Sequence, residues 1–168
     1  MDAVDALIAR MDCWLACRRP DYYALLRPGV TDVQLDSFEA KFAMRLPDAF
    51  RQLYRWRNGQ DPMSFVPLQM NRTFSTLEDI TTTKELLDDL IGSDFDDPTY
   101  WRRGWVPFLH NGGGSHLCLD LAAEDGGTAG QLIGFWKADH DRPIEFTSLE
   151  AWLDDLVSSM EGGSLELV

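Results

Sequence analysis

Bases are scarce in the second half of this chain. Residues 85–168 hold four of the 15 lysines and arginines but seventeen of the 28 aspartates and glutamates. The first 84 residues are charge-balanced, so the whole formal net charge of −13 belongs to the second half. A chain charged this way repels polyphosphate, which argues against direct nucleic-acid binding. Cysteine is sparse too. Cys13, Cys17 and Cys118 are few and odd in number, so no disulfide framework is expected, and free thiols in the cytosol are the default. No stretch approaches the roughly 18 uninterrupted apolar residues of a membrane span. The opening MDAVDALIARMDCWL carries acids where a secretory leader needs bases, so no signal peptide is expected.

Aromatics, by contrast, are plentiful. Nine Phe, six Trp and four Tyr in 168 residues suit one well-packed domain, with no repeat or linker to divide it. Apolar periodicity predicts a helix over 2–17, with Val4, Leu7, Ile8, Met11, Trp14 and Leu15 on its inner side. Thr31 with Gln34 caps a second over 31–43, using Val33, Leu35, Phe38 and Phe42. Pro47 opens a third over 47–57, closed by Asn58-Gly59. Ser75 or Thr76 caps a fourth, with Leu77, Ile80, Leu87 and Ile91 inward. Thr147-Ser148-Leu149-Glu150 reads as a capping box for a fifth over 148–160.

Strands are predicted at 65–68 (an edge, because of Pro67), 105–110, 117–121, 131–137 and 143–146. Leu117, Leu119 and Leu121 alternate with Cys118 and Asp120, the period-two pattern of a strand with one buried face. Helices and antiparallel strands fall in separate runs. The expected class is therefore α+β, a single domain over 1–168 with an antiparallel or mixed sheet against N-terminal helices and a C-terminal helix.

No catalytic, cofactor or metal set assembles from the residues. His110, His116 and His140 lie near Asp120, Asp139 and Asp141, yet without the spacing of a helical metal motif. The favoured account has Asp120 and His140 organising turns and strand ends. Asn111-Gly112-Gly113-Gly114-Ser115 precedes a strand rather than a helix, so it reads as a tight turn and not a phosphate loop. Cys13 and Cys17 read as buried small hydrophobes, and Trp101, Trp105 and Trp136 as core or cleft residues. Glu85, Asp88, Asp89, Asp94, Asp96 and Asp97 form an acid cluster with no base between them. Together with Trp101, Asp120, Asp139 and Asp141 they are the candidate partner-binding residues, because one-signed clusters steer association with oppositely charged partners.

Several segments occur in an order that resembles the SUKH superfamily, the group of the yeast cell-wall-assembly and glucan-synthesis regulator and of many bacterial proteins. They are LPDAFRQLY (46–54) with Asn58-Gly59, Trp105-Val106-Pro107-Phe108, GGGSHLCLDL (112–121), GQLIGFW (130–136), DHD (139–141) and EAWLDDL (150–156). The resemblance covers about residues 30–157, with helix 2–17 as an extension. It implies a non-enzymatic binding domain, and for bacterial members an immunity protein that neutralises a cognate toxin, often a nuclease with a basic cleft. The partner expected on that basis is a basic protein toxin. A regulatory scaffold similar to the yeast protein ranks second, since that protein's long disordered arms have no counterpart in these residues. A hydrolase using the His/Asp group ranks last.

Overall fold

Helix starts in this protein are set by short polar side chains. In the computed structural model, which describes residues 1–168, Asp2 accepts a hydrogen bond from the Asp5 amide and opens α1 (Ala3–Arg18). A brief α2 (Pro20–Tyr23) and β1 (Leu26–Pro28) follow. Thr31 and Gln34 form a complete capping box for α3 (Asp32–Phe42), and Pro47 precedes α4 (Asp48–Trp56). Thr76, not Ser75, caps α5 (Leu77–Asp89). Ser148 caps α6 (Leu149–Gly162) through the Ala151 amide, so the cap lies one residue later than the Thr147–Glu150 box. Each such cap contributes about 1 kcal/mol.

The strands form two antiparallel sheets. β1 pairs with β2 (Arg57–Gln60). The main sheet runs in the order β3 (Thr73–Phe74), β4 (Trp105–His110), β5 (His116–Asp120), β6 (Gln131–Phe135), β7 (Ile144–Phe146). Residue alternation gives it two differently populated faces. Val106, Leu117, Leu119 and Leu132 join the large core with α1, α4 and α6, where Phe108 packs edge-on against Trp152 at 5.4 Å. Trp105, Cys118, Ile133 and Phe135 face the other way and build a second, smaller core around Trp101. The chain is a single α+β domain with helices at both ends, as its pattern predicts.

Four local expectations are corrected. Residues 65–68 are not a strand: Pro67 lacks a donor, Phe65 and Val66 are exposed, and Arg19 donates to the carbonyls of Pro67 and Leu68. A turn at 69–72 then places Thr73–Phe74 as the edge against Leu109–His110. Val33 is 73% exposed because it sits two residues, some 200°, from Leu35 on a helix. The same displacement from Met11 and from Leu15 turns Cys13 and Cys17 outward, so they are exposed rather than buried. Asn58-Gly59 closes no helix, because α4 passes directly into β2. Asn58 instead caps the Leu77 amide at 2.7 Å and donates to Glu78 at 2.9 Å.

Gly59 has a positive φ of 66°, and a Cβ there would lie 2.4 Å from the Ser75 carbonyl carbon. Gly59→Ala is therefore expected to destabilise by well over about 1 kcal/mol, read as a lower urea midpoint at unchanged slope.

Candidate partner-binding cleft

Three of the sequence-predicted site residues lie inside the protein. Lys84 is fully buried on α5, with its ammonium 3.1 Å from Asp88 Oδ2 and donating to the Arg103 carbonyl. Asp88 in turn accepts the Trp101 indole N–H at 2.8 Å. Burial lowers the Lys84 pKa and the Asp88 carboxylate opposes that shift. Asp120, also buried, accepts from the amides of Ala122 and Ala123 and from the Gln131 side chain, closing the 120–131 connection. Asp88, Trp101 and Asp120 thus hold the fold and present no surface to a partner. Trp105 is buried beside Trp101 in a perpendicular pair at 5.4 Å, whereas Trp136 is 41% exposed under the Arg72 guanidinium.

Five of the remaining acids converge. The acidic segment after α5 and the turn after β6, more than 40 residues apart in sequence, meet at Tyr100. Asp94, Phe95, Asp96, Asp97, Tyr100 and His140 line a cleft of about 390 Å³. Asp139 and Asp141 flank His140 and are exposed. Asp97 stands 3.7 Å from His140 Nδ1, and the Thr99 hydroxyl and amide hold its carboxyl below the usual range, so it is charged at neutral pH. Phe95 packs on Tyr100 at 4.6 Å, and Tyr100 meets Phe135 edge-on at 5.3 Å, seating the cleft on the small core.

Arg142 fastens the two segments together. Its Nε and Nη2 donate to the Tyr100 carbonyl at 3.2 and 3.0 Å. Its Nη1 donates to the carbonyls of Asp139 and Asp141 at 2.7 and 2.8 Å. The guanidinium also lies 4.4 Å from the Phe135 ring centroid. A planar fork can satisfy several carbonyls and stack at once, which a lysine ammonium cannot. The acids were legible in the sequence, but Tyr100, Phe95, His140 and the Arg142 clamp were not. The signal that could have found them is the pair of aromatics set among acids in FDDPTY (95–100).

The other acids are placed differently. Glu85 is half-buried and ion-paired with Lys41 on α3, while Asp89 is exposed on the last turn of α5. A wider groove of about 720 Å³ lies elsewhere, between residues 42–48 and the ends of β4 and β5. Arg45 and Arg103, neither ion-paired, line it.

His110 and His116 face each other across β4 and β5 with ring centroids 6.5 Å apart, while His140 lies in the cleft. His110 is satisfied as a neutral ring, accepting from the Gly112 amide at 3.1 Å and meeting Thr73 Oγ1 at 2.7 Å. His116 stacks toward Phe135, and burial lowers its pKa to about 4, with His110 adding to the shift. No group of three or more His, Cys, Asp or Glu side chains is close enough to hold a metal ion. No helix is long and apolar enough to cross a membrane.

The fold and site define an α+β domain whose loops, not its sheet faces, build an acidic recess. The chain belongs to the SMI1/KNR4 family (SUKH-1), whose family model matches residues 29–155. It is similar to KNR4/SMI1 homolog 2 of Debaryomyces hansenii, with 25% identity over an alignment that covers 99% of this chain and 37% of that relative. The chain thus spans little more than a third of that relative's length. Family membership supports immunity-protein or cell-wall-regulator-like roles.

Two outcomes test this account of the interior. Asp88→Ala strands a buried ammonium and the Trp101 N–H, and is expected to cost about 3 kcal/mol or more. Lys84→Met combined with Asp88→Asn removes the charge but keeps an acceptor for Trp101, so it is expected to cost less than the single change in urea unfolding. The second outcome concerns acid. The folded pKa of His116 is about 4, below the ordinary 6.5, so the unfolded chain binds the proton first. Stability is then full above about pH 6.5 and falls as pH drops toward 4. His116→Asn should flatten that part of the profile.

Proposed function

We propose that this protein is an immunity protein that binds and neutralises a cognate toxin domain, using the acidic cleft at Tyr100 as its principal contact. The observation that carries the reading is the convergence of Asp94, Asp96 and Asp97 with Asp139 and Asp141 around an aromatic floor. Such a recess suits a basic protein surface: aligned carboxylates attract it from a distance, and Phe95 and Tyr100 supply apolar area once water leaves. For a nuclease toxin, carboxylates in a rigid recess would occupy the place of substrate phosphates.

A second reading is a regulatory scaffold of the cell-wall-regulator kind. The similarity to the yeast relative along nearly the whole chain supports it, and the same cleft would serve. In either reading the contribution is binding.

The deciding experiment co-expresses the protein with the toxic domain encoded beside it and measures protection and affinity. Exposed charge pairs contribute about 0.2–1 kcal/mol each. The reversal Asp94→Lys/Asp96→Lys/Asp139→Lys/Asp141→Lys is therefore expected to weaken binding at least about tenfold, or 1.4 kcal/mol. Wild-type affinity should also fall with salt, mainly through the on-rate. The matched control is Asp154→Lys/Asp155→Lys on α6, across the sheet from the cleft, which should protect as wild type does. Asp2 and Asp5 are unsuitable controls, because Asp2 caps α1 and both bind Gln52. Full protection by the cleft reversal, with salt-independent affinity, would remove the cleft from the interface.

A further inference from the structure

Two thiols stand side by side on the outside of α1. Cys13 and Cys17 are exposed, four residues apart within one continuous helix, and border a single cleft of about 400 Å³ with Arg10, Trp14, Arg18 and Glu161. Residues spaced i and i+4 on a helix have Cβ atoms about 5–6 Å apart. A disulfide requires about 3.5–4.5 Å between the same atoms, so direct oxidation would have to unwind the last turn. An ion held between the sulfurs by two metal–sulfur bonds spans the helical spacing without that distortion.

The surroundings select the kind of ion. A structural zinc site needs four donors, and no third or fourth is at hand. Glu161 is held by Arg10 through two hydrogen bonds of 2.9 and 2.6 Å, and no cluster of three candidate ligands occurs anywhere in the protein. Two thiolates and nothing else suit a soft monovalent ion that accepts two ligands. We propose that Cys13 and Cys17 form a two-coordinate copper(I) site on the exposed face of α1.

The chemistry balances without oxidant or reductant. Two S–H bonds break and release two protons to solvent, two Cu–S bonds form, and copper remains in the +1 state. The site gains a net charge of −1. The carbonyl end of α1 opposes that charge near Cys17. Arg18, which has no carboxylate partner, borders the cleft and offsets it, while Arg10 is neutralised by Glu161. Cys118 takes no part, since it is fully buried in the small core and burial pushes its thiol pKa up.

The test is anaerobic transfer of copper(I) from its bicinchoninate complex to the purified protein, followed by the loss of the complex's colour. One copper per chain is expected. Cys13→Ser and Cys17→Ser should each lower affinity at least tenfold, and Cys118→Ser should leave it unchanged. Cys17→Ser/Arg18→Cys keeps two thiols but turns one off the shared face, and should bind as weakly as the single-serine variants. Arg18→Ala, the control for charge, should lose only a few-fold. Circular dichroism checks that each variant retains its helices. No transfer, two coppers per chain, or full affinity in either single-serine variant would overturn the site.

Discussion

Everything on the far side of the sheet depends on one buried ion pair. Lys84 and Asp88 are a turn apart on α5, and neither can stand alone out of water. Their remaining bonding capacity goes to the Arg103 carbonyl and the Trp101 indole, so the pair is satisfied only when the segment leading into β4 lies against the helix. That single condition sets Trp101 beside Trp105 and Phe135, closes the small core, and fixes the position of Tyr100, the next residue back along the chain. A hydrophobic pair at these positions would fill the space without specifying where the 95–104 segment must sit. The polar network converts a covering loop into a positioned one.

The readable parts of the sequence were those governed by neighbours a few residues away. Caps such as Thr31 with Gln34, the alternation through Leu117 and Leu119, and the stripe from Val4 to Leu15 all follow from local spacing, and the five longer helices and four of the five central strands were legible from them, though not the short α2. The edge strand at 73–74 was not. Two residues carry no periodic signal, and the more apolar 65–68 run drew the prediction away. The candidate site divides the same way. An acid's charge is visible in a sequence, but its burial depends on what folds over it. Asp88 and Asp94 are alike as letters. The first lies under Trp101 and the second faces solvent, because α5 ends between them. Asn58-Gly59 gives a further case: a dipeptide that commonly ends helices serves here as a strand passing close to the 75–76 backbone, with Asn58 capping a helix 19 residues on.

The acidic recess lies beside the layers of the fold rather than between them. The sheet separates a large helical core from a small aromatic one, whereas the acidic recess sits at the loop end of the small core. Rigid elements therefore lie behind the recess, and Arg142 fixes its two walls to each other through backbone carbonyls. A contact surface fixed through main chain tolerates changes of the side chains facing outward, so the pattern of acids can vary while the recess keeps its form.

The brevity of the outer strands limits how a partner can be engaged. β3 offers two residues and β7 three, the latter entered through Pro143, which has no amide hydrogen to donate. An incoming peptide would find too few free backbone groups to extend the sheet, the route by which many domains capture extended chains. The same shortness guards against edge-to-edge stacking of copies in a crowded solution. Recognition is thereby left to side chains on loops. Outward-facing side chains there can change residue by residue without any renegotiation of strand register.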